Sequence, residues 1–181
     1  MKISRSLPKV MVIVIVSTVI STLLVNLIEK RDHLTTKENL ASHLEEFKTN
    51  NQNKATVVLQ RKIGDQHVLL YTQKGKNDKI GIAYYIKTDL FPFYELVRIQ
   101  EAKHQLLGSS FLNNGQFIVY GNVKDSGAEY FQFRNNIDFK KVQLDEQPYF
   151  IHVEPYGGQL SVPLVTFYSN AGEMLASAPA K

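Results

Sequence analysis

A long uncharged and mostly hydrophobic run lies near the N-terminus, and farther along the chain hydrophobic residues alternate with polar residues. The run extends from Val10 to Ile28 and contains no charged side chain. At about 1.5 Å per residue, a helix of this length spans roughly 28 Å, close to the hydrocarbon thickness of a bilayer. The pattern therefore predicts a single transmembrane helix over residues 10–28, with the lipid bilayer as its partner.

The charges on either side of this run predict its orientation. Residues 1–9 carry Lys2, Arg5 and Lys9 and no acidic residue, whereas the charges of residues 29–32 cancel. This bias indicates a cytoplasmic basic tail and an extracytoplasmic C-terminal domain. A cleaved signal peptide is the alternative, but its apolar core is usually about 7–15 residues long and is followed by small residues. The first alanine here is Ala41, so we expect an uncleaved signal anchor, as in single-pass proteins of the bacterial cell surface.

Polar residues recur on one side of the predicted membrane helix. Ser17 and Ser21 are spaced by four residues, as are Thr18 and Thr22, and Asn26 lies one turn beyond Thr22. Small and hydroxylated residues on one face can mediate helix association in a membrane. The alternative is that the hydroxyls bond only to carbonyls of their own helix, and we favour this interpretation.

A short amphipathic helix is predicted just after the membrane, within residues 29–54. Thr35 to Glu38 fits a capping box, in which a threonine and a glutamate satisfy free N–H groups at a helix start. Leu40, Leu44 and Phe47 follow at helical spacing, which predicts a helix from Thr36 to about Lys48. Such a helix can pack on the following domain, pair with a copy of itself or lie on lipid, and we expect the first.

From Ala55 onward, the apolar period changes from helical spacing to two. About nine short β-rich runs are separated by Gly, Asn and Asp clusters, which is typical of antiparallel strands. The runs cover residues 57–63, 68–72, 80–87, 94–100, 117–122, 130–134, 139–144, 149–154 and 162–168. We therefore predict a mainly β domain over residues 55–176, built as a sandwich or a partly closed barrel. Glu101 to Leu107 is expected to be a helical turn or a loop, and residues 177–181 a tail.

Two of these runs also predict which strand faces are buried. Residues 117–120 are apolar on both faces, as in a central strand that is covered on both sides. In the next run, Phe131 and Phe133 alternate with Gln132 and Arg134, which indicates a half-exposed strand.

Composition excludes several classes of function. The chain has a formal net charge of +4, and the three N-terminal charges leave only +1 after the membrane run. Nucleic-acid binding would require a clustered basic face, so we expect none. The chain contains no cysteine, which excludes disulfides, a lipidated cysteine and a cysteine nucleophile. No phosphate-binding or dinucleotide-binding glycine motif occurs, so no cofactor is predicted.

Two pairs of residues are weak candidates for metal ligands. His152 and Glu154 are two residues apart on a predicted strand, so their side chains share a face. Glu101 and His104 are three apart, and these residue types are legitimate zinc ligands. The alternative, which we favour, is that each pair is simply polar and faces solvent.

These observations predict a membrane-anchored extracytoplasmic domain that binds a ligand or partner, as an accessory or regulatory subunit without enzymatic activity. We expect a protein partner, in or outside the membrane. One alternative is a surface hydrolase or metal-dependent enzyme whose residues converge from distant strands. Another is a signalling role, passed through the membrane helix because the cytoplasmic tail is too short to act itself. The sequence does not identify the ligand, the strand order or the oligomeric state.

Overall fold

The fold was analysed in a computed structural model that describes residues 11–12, 14–22, 31–49, 54–75, 78–89, 92–112, 115–135, 138–155 and 163–179. The chain divides into two compact units, Met1–Leu34 and Thr35–Lys181. In the first unit, residues 11–12 and 14–22 are helical. Within the described residues, no helix is both long enough and apolar enough to cross a membrane. The remainder of the predicted span, with Lys2, Arg5 and Lys9, lies outside the described residues.

Hydroxyl groups of the N-terminal helix bond to the helix itself. Ser17 Oγ donates to the Val14 carbonyl at 3.0 Å, and Thr18 Oγ1 donates to the same carbonyl at 2.8 Å. Thr22 Oγ1 donates to the Thr18 carbonyl at 2.8 Å. These bonds are the local kind that we favoured for Ser17. Asn26 lies outside the described residues, so the predicted association face stays a prediction.

A short 3₁₀ turn at Arg31–His33 lies in the first unit. The described residues of the second unit contain two α-helices, α1 (Leu40–Thr49) and α2 (Val123–Ser126), and a 3₁₀ turn at Lys37–Asn39. The strands are β1 (Leu34–Thr36), β2 (Ala55–Ile63), β3 (Gln66–Gln73), β4 (Lys79–Lys87), β5 (Phe93–Glu101), β6 (Leu107–Leu112), β7 (Gln116–Asn122), β8 (Tyr130–Asn135), β9 (Asp138–Gln143), β10 (Tyr149–Pro155), β11 (Leu164–Tyr168) and β12 (Met174–Pro179).

The described strands form three antiparallel sheets, one of which is a half-barrel. The five-stranded sheet has the order β1-β5-β4-β3-β2, the three-stranded sheet β10-β7-β6, and the four-stranded sheet β12-β11-β8-β9. The mainly β class is therefore confirmed. Twelve strands are described where about nine were predicted. The additional ones are β1, which is only three residues long, and β6 and β12, which are rich in small residues of low strand propensity.

The C-terminal residues differ from their prediction. We expected a tail from Ser177, but Ser177 and Ala178 pair with Thr166 and Val165 in β11, and Ala178 is buried. Pro163 lies just before β11. Because it is outside the strand, its missing backbone N–H removes no hydrogen bond between β11 and its neighbours. The strand was missed because the alanines of β12 carry little hydrophobic signal in the sequence.

Helix α1 packs on one face of the five-stranded sheet. Leu40 and Leu44 are fully buried there, in a cluster with Leu69 of β3. The carboxylate of Glu45 accepts a hydrogen bond of 2.8 Å from the Val57 backbone N–H, which also ties α1 to β2. The expectation that this helix packs on the domain is confirmed.

The start of this helix differs from the predicted capping box. The predicted box makes Thr35 the cap residue, but the cap is Thr36, and the Thr36 side chain makes no capping hydrogen bond. A 3₁₀ turn at Lys37–Asn39 comes first, and α1 begins only at Leu40.

Strand β7 is covered on both faces, as predicted. Ile118 and Tyr120 pack into a cluster with residues of the five-stranded sheet, including Leu70. Phe117 and Val119 pack into a second cluster, with residues of the four-stranded sheet. The three-stranded sheet therefore lies between the other two, and its central strand is inaccessible to solvent.

Two buried tyrosines lie across glycines on the neighbouring strand. Tyr71 is paired with Gly81 of β4, and Tyr120 is paired with Gly108 of β6. A Cβ atom added to either glycine would stand 2.5 Å from the Cζ of its tyrosine. Because glycine has no Cβ atom, the tyrosine ring can lie directly over the backbone of the neighbouring strand. Burial raises the pKa of both tyrosine hydroxyls, so both stay neutral.

Candidate functional site

The predicted pair on β10 forms part of a three-residue charged cluster. His152 Nε2 donates to Glu154 Oε1 at 2.6 Å, and Lys140 Nζ of β9 lies 2.7 Å from both carboxylate oxygens. Glu154 is only 5% exposed. The solvent-facing pair that we favoured is therefore wrong for Glu154. The cluster joins β9, at the edge of the four-stranded sheet, to β10, at the edge of the three-stranded sheet.

Electrostatics keep this buried carboxylate ionised. Burial alone would raise the pKa of Glu154, but the hydrogen bonds from His152 and Lys140 outweigh it and hold the pKa below its usual value. Lys140 was missed in the sequence because the β9–β10 juxtaposition is a tertiary contact. The alternation of β9 shows only that Lys140 shares a face with Val142.

The other predicted pair is engaged elsewhere. Glu101 lies 3.3 Å from Lys48 Nζ and 3.6 Å from Lys79 Nζ. His104 Nε2 lies 2.5 Å from the Ser177 carbonyl on β12. Among the described residues, no three His, Asp or Glu side chains come together to hold a metal ion. The metal-site hypothesis for these residues receives no support from their arrangement.

The cluster around Glu154 makes stability depend on pH. The pKa of Glu154 is lower in the folded protein than in the unfolded chain. At pH values above the usual carboxyl pKa, the ionised Glu154 therefore stabilises the fold. This stabilisation is lost as the pH falls through the folded pKa. Glu154→Gln should therefore cost about 1–3 kcal/mol near pH 7. The difference from the unchanged protein should shrink below about pH 4. Urea unfolding of both proteins across pH measures this, with exposed Glu46→Gln as the control; a constant difference would contradict it.

The outer face of the four-stranded sheet exposes several large apolar side chains. Strand register arranges its side chains in three rows that cross the strands. We call these rows together the open face. Its first row is Met174, Tyr168, Tyr130 and Gln143, the second is Ser177, Thr166, Gln132 and Lys141, and the third is Leu164, Arg134 and Phe139.

The two outer rows of the open face expose large apolar side chains. Phe139 is 74% exposed, Met174 67% and Leu164 53%. The inner face of the same strands carries Phe131 and Phe133, which are buried. The prediction of a half-exposed strand in β8 is therefore confirmed, and the exposed half is only partly polar.

Side chains in the open face support one another. The rings of Tyr130 and Tyr168 stack at 5.0 Å between centroids. Lys141 Nζ lies 3.8 Å from the centroid of the Tyr130 ring. In the middle row, Thr166 Oγ1 and Ser177 Oγ are 3.2 Å apart. These contacts link side chains of neighbouring strands across the open face.

The charge of the open face has one sign. Its rows include Lys141 and Arg134 but no aspartate or glutamate. Sequence analysis missed this surface because its residues come from four strands whose register is not visible in the sequence. The alternation in residues 130–134 was its only signal.

A separate cleft of about 510 Å³ opens at one end of the five-stranded sheet. Its lining consists of Lys62, Asp65, Ile86, Lys87, Thr88, Asp89 and Tyr94. Two lysines and two aspartates in an open cleft give no preference for the charge of a ligand. The cleft is therefore a weaker candidate than the open face.

No protein-family model, no curated protein and no solved structure matches this chain.

Proposed function

We propose that this protein is a membrane-anchored extracytoplasmic binding domain, acting as an accessory or regulatory subunit, and that the open face is its binding surface. The observation that carries the proposal is the exposure of large apolar side chains beside positive charge on that face. The face combines exposed apolar side chains, hydrogen-bonding groups and positive charge, and it contains no acidic residue. A soluble surface with no ligand would more commonly mix charges of both signs.

The packing of the sheets supports this choice of surface. Apolar clusters occupy both faces of the three-stranded sheet and both faces of the five-stranded sheet. The four-stranded sheet contributes its inner face to one of these clusters. We infer that this sheet and the three-stranded sheet form a sandwich that presents the open face outward as a rigid platform.

Exposed apolar side chains in the N-terminal unit support the proposal that this protein is anchored in a membrane. Large apolar side chains of the described helical residues are each at least half exposed, namely Met11, Val12, Val14, Ile15, Val16, Val19 and Ile20. Such side chains are unfavourable in water and favourable in lipid. Together with the basic residues before them, they favour insertion with the N-terminus in the cytoplasm.

Cysteine labelling in intact cells tests both parts of the proposal, because the chain contains no cysteine of its own. Gln132→Cys places a thiol in the open face, and Lys54→Cys places one at an exposed position just before β2. With a membrane-impermeant maleimide, Lys54→Cys should react in intact cells. Gln132→Cys should react more slowly in cells than in the purified full-length protein, because a bound partner covers it.

Each variant can contradict a different part of the proposal. If Lys54→Cys reacts only after the cells are broken, the domain is not outside. If Gln132→Cys reacts equally fast in cells and after purification, the open face is unoccupied and the binding function is contradicted.

A further inference from the structure

His67 on β3 is a buried histidine with only one of its two ring nitrogens hydrogen-bonded. The residue is 4% exposed. The side-chain amide of Gln60 donates to His67 Nδ1 at 3.2 Å, so the proton of the neutral ring lies on Nε2. Among the described residues, Nε2 is buried without a hydrogen-bond partner. The site therefore suits a neutral ring, because a buried N–H without an acceptor costs more free energy on a charged group.

The ring of His67 adjoins the cleft at the end of the five-stranded sheet. Tyr94 and Lys62 both contribute to the lining of that cleft. The ring of Tyr94 meets the ring of His67 edge to face, with 5.2 Å between their centroids. Lys62 is the residue of β2 that pairs with His67, so both side chains lie on the same face of the sheet. A ring that leaves its buried position therefore reaches the cleft once Tyr94 moves.

The charged groups around His67 oppose its protonation in the buried position. Burial lowers the pKa of His67 below its usual value of about 6.5, and the ammonium groups of Lys37 and Lys62 lower it further. Asp65 and Asp89 line the cleft, but their attraction does not reverse this direction. On the remaining elements, the titratable and charged groups on this side are His43 of α1, Tyr85 and Lys87 of β4, and Tyr94 of β5.

The position of the ring should therefore depend on pH. At pH values above about 6.5, the ring is neutral in either position, and its packing against Tyr94 keeps it buried. In the cleft, water and the carboxylates of Asp65 and Asp89 solvate a charged ring. Because the pKa of His67 is lower in the buried position than in water, acid favours the solvated position. The preference for the buried position is lost as the pH falls through the lower pKa.

We propose that His67 is an acid-sensitive latch, which holds Tyr94 at the wall of the cleft while its ring is neutral and displaces Tyr94 when the protonated ring turns into the cleft. The latch makes the shape of the cleft depend on pH. In an extracytoplasmic domain it responds to the pH outside the cell. This inference goes beyond the proposed binding function and does not depend on the open face.

Fluorine NMR of the full-length protein in detergent micelles tests the latch. Fluorotyrosine replaces the tyrosines, and Tyr94→Phe identifies the Tyr94 resonance by its loss. Between about pH 7.5 and about pH 5 this resonance should shift, with a midpoint below about pH 6.5. Glu154 stays ionised over this range because its pKa is below the usual carboxyl value. Circular dichroism at both ends of the range verifies that the domain remains folded.

Variants assign the shift to His67. His67→Phe retains a ring against Tyr94 and His67→Gln retains a polar side chain, but neither takes up a proton, so both should abolish the shift. Lys62→Gln removes one of the repelling charges and should move the midpoint to higher pH. Lys103→Gln removes the same charge from an exposed turn elsewhere and should leave the midpoint unchanged.

Several outcomes would overturn the inference. One is a Tyr94 resonance that does not change with pH, and another is a change that persists in both His67 variants. Equal midpoints for Lys62→Gln and Lys103→Gln would also contradict it. So would loss of the change in His43→Gln, because the His43 ring lies 2.8 Å from the Tyr85 hydroxyl and titrates on the same side of the sheet. If the His67 variants do not fold, the midpoint of Lys62→Gln decides between the outcomes.

Discussion

Replacing Gly108 with alanine is expected to lower the free energy of unfolding by about 3 kcal/mol, at the upper end of the usual cost of overpacking. The added Cβ would stand 2.5 Å from Tyr120 Cζ and 2.6 Å from its hydroxyl oxygen. Tyr120 is fully buried and belongs to β7, the central strand of its sheet, so the ring cannot move aside without displacing neighbouring core residues. Urea unfolding of the full-length protein in detergent measures the change.

The chain offers a matched control for this substitution. Gly75 is exposed, and a Cβ atom there would have no neighbour within 4 Å, so Gly75→Ala should change the stability little. Gly81→Ala, which meets Tyr71 in the same way, should resemble Gly108→Ala. If Gly108→Ala were as stable as Gly75→Ala, the close approach of the Tyr120 ring would be contradicted.

Replacing Leu44 with alanine should cost about 2–5 kcal/mol of stability. Leu44 is fully buried between α1 and the five-stranded sheet, so truncation leaves a cavity against Leu69 and its neighbours. Helix α1 is short, and its stability comes from this packing more than from its own propensity. Circular dichroism during thermal unfolding should show a lower midpoint for the whole domain.

The matched control for Leu44→Ala is Glu46→Ala, two residues farther along the same helix. Glu46 is exposed, so its truncation should change the free energy of unfolding by no more than about 0.5 kcal/mol and leave the midpoint nearly unchanged. An equal midpoint for Leu44→Ala would mean that α1 does not contribute to the domain core. It would then favour the alternative in which this helix pairs with a copy of itself or lies on lipid.

The cluster around Glu154 connects the three-stranded sheet to the four-stranded sheet. The edge strands β9 and β10 belong to different sheets, and their exposed backbone groups need protection from other chains. Lys140 and Glu154 connect these edges through side chains. At the opposite side, Ser109 of β6 donates to the Ala178 carbonyl of β12 at 3.1 Å. Polar side chains therefore link the sheets where backbone ladders end.

The sequence alone determined the mainly β class and the approximate position of nine strands. Alternation of apolar and polar residues has a period of two in a strand, and this local property survives whatever the strand packs against. A run without alternation indicated that residues 117–120 are buried on both faces, and the spacing of Leu40, Leu44 and Phe47 indicated the apolar stripe of α1. Absence of cysteine and of nucleotide-binding motifs was likewise decided by the sequence.

Only the tertiary structure decided which strands are neighbours, and therefore what surrounds each polar residue. Glu154 looked like a surface residue in the sequence, but Lys140 from another sheet supplies the charge that allows its burial. The open face depends on the register of four strands, because a shift of one residue would turn Gln132 inward and Phe131 outward. Strand pairing is set by long-range contacts, so this candidate binding surface emerges only from the folded domain.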